Sequence, residues 1–333
     1  MPFTDFPNGL TSFGIPLFGD ITPGSIPGNV YVVGNPNDAN LAYIKARFGD
    51  TSYTTPSGVT TQMFQPNLQS AINACVDLRG DVIFVGPRTT VVATPILLNK
   101  KGITVAALFN FGGGIDNGER TTFNADATPN IPCFIVSEPC IISGLGFDSA
   151  NTLTLTGAVG GAISLGPGSG FDGGNFVTIQ NCRFDNFGAA ACAISSQYND
   201  YVKIINCDFD GTNNATSGGA NEFASGINVI QSHFMTVEGC TFRGCTYAIL
   251  HGTANPSSST HSCQNFIYFG NRVMVSGGTE RFVNFNTLAT YSLSYGLISN
   301  NYLGTATDTA SYNDTVANAK TAKVTFSGNH YAE

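Results

Sequence analysis

The chain has 333 residues, 39 of them glycine, with no tryptophan, 11% charged residues and a net charge of −8. So few charges with so much glycine argue against a helix-rich enzyme and for a turn-rich all-β protein. The absence of any lysine or arginine run disfavours a nucleic-acid partner, and no apolar run reaches the roughly 18 residues of a membrane span.

Residues 1–60 are rich in Pro, Gly and aromatics and nearly uncharged over FPNGLTSFGIPLFGDITPGSIPGNVYVVGNP. That is too apolar for a disordered linker. Two readings stand: an irregular arm packed along its own body, or an arm that attaches to another protein. MPFTDFPNGL has neither the basic start nor the apolar core of a signal peptide, so synthesis in a cytosol is expected. One or two helical turns are expected over 41–50 and a turn at TPSG, 55–58.

Residues 61–102 read as a cap with leading strands. Leu68, Ala71, Ile72, Cys75 and Val76 have the spacing of an amphipathic helix, stopped by Gly80. Short strands follow at 82–85, 90–92, 96–98 and 103–107. A helix here has a physical use, because the open end of a coiled sheet exposes unpaired backbone.

From 103 to 333 an eight-residue unit recurs. VTIQNCRF (177–184), VKIINCDF (202–209) and MTVEGCTF (235–242) carry apolar or small residues at positions one, three, six and eight, and Asn or Gly at five. The inward phase jumps at position five, where Asn or Gly enters the left-handed conformation of a sharp bend. CIISGLGF (140–147), FIYFGNRV (266–273), YGLISNNY (295–302) and VTFSGNHY (324–331) continue the pattern, and ITVAALFN (103–110) fits it loosely. Starts lie roughly 25–37 residues apart, a solenoid interval. A third short strand precedes several units: AISL (162–165), GINV (226–229), AIL (248–250) and FVNF (282–285). Three strands per coil with like residues stacked describe a parallel β-helix. Longer excursions are expected at 110–139, 210–225, 252–265 and 303–323, on particular edges of the solenoid. Only Ala332 and Glu333 follow the last unit, so a partner or sister chain is expected over that end.

Position six gives two expected structural stacks. Cys182, Cys207 and Cys240 would lie about 4.8 Å apart as reduced core residues. Asn271, Asn300 and Asn329 would hydrogen-bond amide to amide. With no C-x-x-C pair, and no metal-like spacing among His233, His251, His261 and His330, no metal or cofactor is expected, and each histidine reads as a lone surface or loop residue. Ile141 and Ile267 at position two, with Ile205, Phe269 and Ile298 at position four, put apolar groups on an outward face. Either a loop of the same chain covers them or they are oligomer contacts; a threefold self-association is the favoured expectation.

A glycan hydrolase needs two carboxylates across a groove. Asp208 and Asp210, Asp185 one coil earlier and Glu238 one coil later are the candidates. Asp208 shares its outward row with Arg183 and Arg272, so an ion-pair ladder is the stronger expectation. Without tryptophan, Tyr198, Tyr201, Tyr247 and Tyr268 are the remaining sugar platforms.

The I-x-N-C-x-F units, with the stretch from 68 to 108 (helix, Gly-Asp, V-x-F-V-G-P, then P-I-L-L-x-K-K-G-I-T-V), resemble right-handed parallel β-helix proteins of the pectate-lyase-like superfamily. The resemblance spans residues 68–333 and implies the fold; that fold hosts lyases, hydrolases, adhesins and inert spikes alike. The polygalacturonase signatures N-T-D, D-D, G-H-G and R-I-K are absent. The opening FPNGLTSFGIPLFG, leading to GNVYVV, resembles the start of tailed-bacteriophage virion proteins that carry such a helix. This implies a homotrimeric spike, fibre or capsid decoration protein in a virion, its arm on other virion proteins and its loops near host glycan. The alternative is a tailspike depolymerase.

Overall fold

The computed structural model describes residues 10–12, 15–18, 28–34, 52–54, 60–108, 121–125, 131–148, 161–166, 174–185, 192–211, 223–230, 232–251, 261–274, 281–285, 291–304, 312–313 and 324–331. The turns expected at 41–50 and 55–58, and most of each long excursion, lie outside these residues.

The chain winds into a right-handed parallel β-helix with three sheets of eleven, nine and eight strands, here called sheets I, II and III. One coil runs from Thr178–Gln180 (I) through Arg183–Asp185 (II) to Cys192–Gln197 (III). The next repeats it at Lys203–Ile205, Asp208–Asp210 and Phe223–Ile230. Pairing is parallel and in register: Ile179 meets Ile204, Phe184 meets Phe209, and Ile194 meets Ile227.

Between sheets I and II the bend sits at position five. Asn181, Asn206 and Asn300 adopt φ of 54°, 51° and 54°, and Gly144, Gly239, Gly270 and Gly328 take the same bend with φ of 63–70°. Side chains on either side then point into one interior, where Val177, Ile179 and Phe184 are fully buried. Phe147, Phe184, Phe209 and Phe242 stack at centroid spacings of 5.1, 4.9 and 4.6 Å. Burying an aromatic ring removes a large apolar area from water, and offset stacking adds about 0.5–1.5 kcal/mol per pair.

The frame of one repeat shifts by a residue. The unit is Gly296 to Leu303, not 295–302: Ile298 pairs with Tyr268 and Leu303 with Val273. Asn300 is therefore the left-handed corner and exposed, while Asn301 enters the core. Ile298 falls at inward position three and is fully buried, so it is not an outward contact. Glycine is required at 296 because a Cβ there would run into the Phe266 ring.

The corrected row is a continuous ladder. Asn271 Nδ2 donates to Val237 O (2.9 Å) and Asn301 Oδ1 (3.0 Å), and Asn301 Nδ2 donates to Tyr268 O (3.1 Å) and Asn329 Oδ1 (3.0 Å). Each Oδ1 also accepts the backbone N–H one coil before: Asn271 from Cys240, Asn301 from Asn271, and Asn329 from Asn301. The same row holds Cys182, Cys207 and Cys240, and the Cys207 N–H donates to Cys240 Sγ at 3.4 Å. Burial pushes the thiols of Cys133, Cys140 and Cys192 up to about 12, and burial beside its two stacked neighbours raises Cys207. All three stacked thiols are free and sealed from solvent.

The leading end differs from the sequence reading in two ways. Val30–Val33, placed in the arm, is a strand of sheet I, paired parallel with Val82–Val85 on one side and Phe64–Gln65 on the other. An unbroken apolar run, with Tyr31, Val32 and Val33 all buried, suits a strand covered on both faces. The helix is also shorter than expected, Leu68–Ala74, with the Asn67 side chain accepting the Ser70 N–H at its start. It ends early because Asp81 Oδ2 takes the Val76 N–H at 2.8 Å and turns the chain, leaving Val76 exposed. Leu68, Ala71 and Ile72 pack down on the first strands of sheets I and III. The 110–139 excursion also contains Thr121–Ala125 of sheet II and Phe134–Val136 of sheet III. Phe123, not Asn110, thus fills the position-eight row beside Phe147. No helix among the described residues is long and apolar enough to cross a membrane.

Candidate functional site

Sheet II brings three of the four sequence candidates together. In-register pairing sets Arg183 beside Asp208 and Asp185 beside Asp210, and the next coil adds Arg243 beside Asp210. Arg183 Nε bonds Asp185 Oδ1 at 2.7 Å and lies 3.8 Å from Asp208 Oδ2, while its Nη2 is 3.6 Å from Asp210 Oδ2. Arg243 Nη2 bridges Asp208 Oδ2 and Asp210 Oδ2, each at 3.0 Å. Two guanidinium groups thus hold three carboxylates. Glu238 is not among them; it lies exposed on the outer face of sheet I.

The chemistry of this cluster follows from burial and charge. Burial raises the pKa of Asp208, with Arg243 and Arg183 pulling it back and Asp210 adding to the rise. Burial opposes the charge on Arg183, but its hydrogen bond to Asp185 and the fields of all three carboxylates outweigh it and raise its pKa. The side chains of Asp185 and Asp210 are only 11% and 5% exposed, against 32% for Asp208. A hydrolase needs an acid and a second carboxylate that both reach the substrate. Here one carboxylate reaches solvent and its neighbours are sealed against arginine.

The histidines divide. His251, expected at the surface, is fully buried in sheet III, one coil beyond Val229, and its Nε2 lies 2.6 Å from the Tyr268 hydroxyl. Burial lowers its pKa to about 3, so the ring is neutral. Tyr268 is consequently a core residue and no sugar platform. Of the outward apolar residues, Ile141, Ile267 and Phe269 are 39%, 42% and 41% exposed, and Ile205 is half-buried.

A feature absent from the sequence reading is a row one residue ahead of five consecutive units, at the corner where the chain enters sheet I. Phe176, Tyr201, Phe234, Asn265 and Tyr295 occupy it in successive coils, all with φ of 54–59°. Phe176 stacks on Tyr201 at 4.7 Å and Tyr201 on Phe234 at 4.6 Å, with ring planes within 5° of parallel. All three rings are exposed. The signal was in the sequence, as an aromatic preceding VTIQNCRF, VKIINCDF and MTVEGCTF, but it falls outside the apolar alternation that defines the unit. Of the other tyrosines considered, Tyr198 and Tyr247 are half-buried.

No family profile matches the chain, and no curated protein matches it. Solved structures similar to it include PfbA, a surface adhesin of Streptococcus pneumoniae, at 11% identity and a TM-score of 0.47, covering 68% of this chain and 67% of that one. Pectate lyase Pel9A is 16% identical with a TM-score of 0.45, covering 90% and 69%. ORF18 of Geobacillus virus E2 is 12% identical with a TM-score of 0.33, covering 91% and 72%.

Proposed function

We propose that this chain is a structural protein of a tailed-bacteriophage virion, a β-helical spike, fibre or capsid decoration that self-associates as a trimer. The observation that carries the non-catalytic half of this reading is the arginine-locked ladder: Asp210 is spent on joining its coil to those of Arg183 and Arg243, and Asp185 on holding Arg183 within its own strand. The virion assignment is supported by the resemblance of the opening FPNGLTSFGIPLFG to virion proteins. Self-association is supported by exposed apolar residues on the outer face of sheet I, Ile141 on one coil and Ile267 with Phe269 four coils on, where Lys203 and Glu238 between them can pair with opposite charges on a neighbour. The arm before Val30 is the segment that reaches another virion protein.

Light scattering on the purified chain tests the assembly. The wild type is expected at three times its 34.9 kDa, and Ile267→Lys with Phe269→Lys at the monomer mass with its β spectrum retained. A monomeric wild type overturns the trimer. The raised pKa of Asp208 is the one observation favouring a depolymerase. That reading requires wild-type protein to release reducing ends from host surface polysaccharide, and Asp208→Asn to abolish the release.

A further inference from the structure

The aromatic row at the corner where the chain enters sheet I is costly to build. A left-handed backbone costs a non-glycine residue on the order of 1–3 kcal/mol, and Asn or Gly is the inexpensive choice. Asn265 shows that this row accepts such a residue, yet four of the five coils carry Phe or Tyr, exposed. Stacking between Phe176, Tyr201 and Phe234 returns about 0.5–1.5 kcal/mol per pair. Tyr295 lies beyond that ladder, with Asn265 between them.

Pairing fixes the size of that separation. Phe234 is aligned with Asn265, and Asn265 with Tyr295, through His233 beside Gln264, Thr236 beside Ile267, and Ile267 beside Leu297. Phe234 and Tyr295 are thus two coils apart, about 9.6 Å at a strand spacing of about 4.8 Å. Within the ladder, one ring occupies each 4.6–4.7 Å step. The gap over Asn265 is therefore one ring thick, with Phe234 at one side, Tyr295 at the other and a half-buried amide as its floor.

We propose that this gap is a carbohydrate subsite that receives one pyranose ring of a surface glycan. The neighbouring row decides for a sugar over an apolar protein segment. Each corner residue is preceded by a polar one, Asn175, Asp200, His233, Gln264 and Ser294, the last four aligned in the same register. A pyranose presents C–H groups to ring faces and hydroxyls at its rim, which calls for aromatic faces beside mixed donors and acceptors. A protein segment seeking an apolar strip would leave those polar groups unpaired. The subsite stands whether or not the chain belongs to a virion.

The test is a variant that closes the gap without harming the fold. Asn265→Tyr places in the row a residue that the row already carries at 201 and 295, and it makes the ladder continuous. Wild-type full chain is applied to an array of bacterial capsular and O-antigen polysaccharides, and a retained hexopyranose oligosaccharide is titrated calorimetrically. Asn265→Tyr and Phe234→Ala are each expected to weaken binding at least tenfold, while Asn300→Gly, at the exposed corner between sheets I and II, stays within a few-fold of wild type. Retention of no glycan by the wild type overturns the proposal, as does unchanged affinity in Asn265→Tyr. Either result leaves the mass and particle association of the chain, on which the virion reading turns, untouched.

Discussion

Replacing Asn301 by leucine is expected to destabilise the C-terminal coils by about 2–5 kcal/mol, although the two side chains have the same number of heavy atoms and the same branching. The change strands the Asn271 backbone N–H and one Asn271 Nδ2 hydrogen, both of which now reach Asn301 Oδ1. It also removes a donor from Tyr268 O and from Asn329 Oδ1. Each buried donor left unsatisfied costs on the order of 1–3 kcal/mol. Urea denaturation with hydrogen exchange measures it, and Tyr268, Asn271 and Ile298 should lose protection first. Asn301→Cys is expected to recover part of the loss, because Cys240 already accepts a backbone N–H in this row. Asn300→Gly, one residue away at the exposed corner, is expected to leave the midpoint nearly unchanged.

Asp81→Ala is the second large effect, about 3–5 kcal/mol, at the opposite end. The carboxylate is fully buried and makes charged bonds of 2.6 Å to both Arg79 Nε and Arg79 Nη2. It also accepts the Asn29 N–H at 2.7 Å and the Val76 N–H at 2.8 Å. One side chain therefore pins the strand Val30–Val33, the end of the helix and the first coil to each other. The Tyr31 hydroxyl joins them by donating to Ala74 O at 2.9 Å and accepting from Arg79 Nη2 at 3.2 Å. Truncation breaks a charged pair whose carboxylate is fully buried, and removing one partner of such a pair is costly. Exchange protection at Val30–Val33 should fall to that of a frayed edge while the middle coils stay protected, since a solenoid coil depends chiefly on its neighbours. Uniform loss across the chain would contradict this picture.

The two ends also show what the sequence discloses and what it withholds. Coil positions one, three, six and eight were legible because each is an inward residue repeated in one phase; Val177, Ile179, Cys182 and Phe184 all lie in the core. The repeat at Asn300 and Asn301 was misframed because two adjacent asparagines fit the pattern equally well. Only the left-handed bend, which falls on Asn300, separates corner from core. Val30–Val33 could not be placed from local pattern, since its partners are Val82–Val85 and Phe64–Gln65, far along the chain. Of the candidate carboxylates, the Asp208 row was visible from spacing alone. The clamp between Asp208 and Asp210 was not, because Arg243 lies just beyond the repeated unit, where no periodicity marks it. The burial of His251 is not legible in the sequence, because a single polar side chain in an inward row cannot be told from one at a strand end.

The central claim is that like positions of successive units lie on adjacent windings, one strand spacing apart. Paired cysteines at the outer corner test it most directly, because the described native thiols are buried and unreactive. In a Cys263→Ser background, Tyr201→Cys with Phe234→Cys occupies neighbouring coils, and Phe176→Cys with Phe234→Cys occupies alternate ones. Treatment with the short thiol-bridging reagent dibromobimane should link the first pair within one chain, read by mass spectrometry of the linked peptides, and leave the second unlinked. Linkage of the alternate pair in preference to the neighbouring one, or of neither, would contradict the winding and everything built on it.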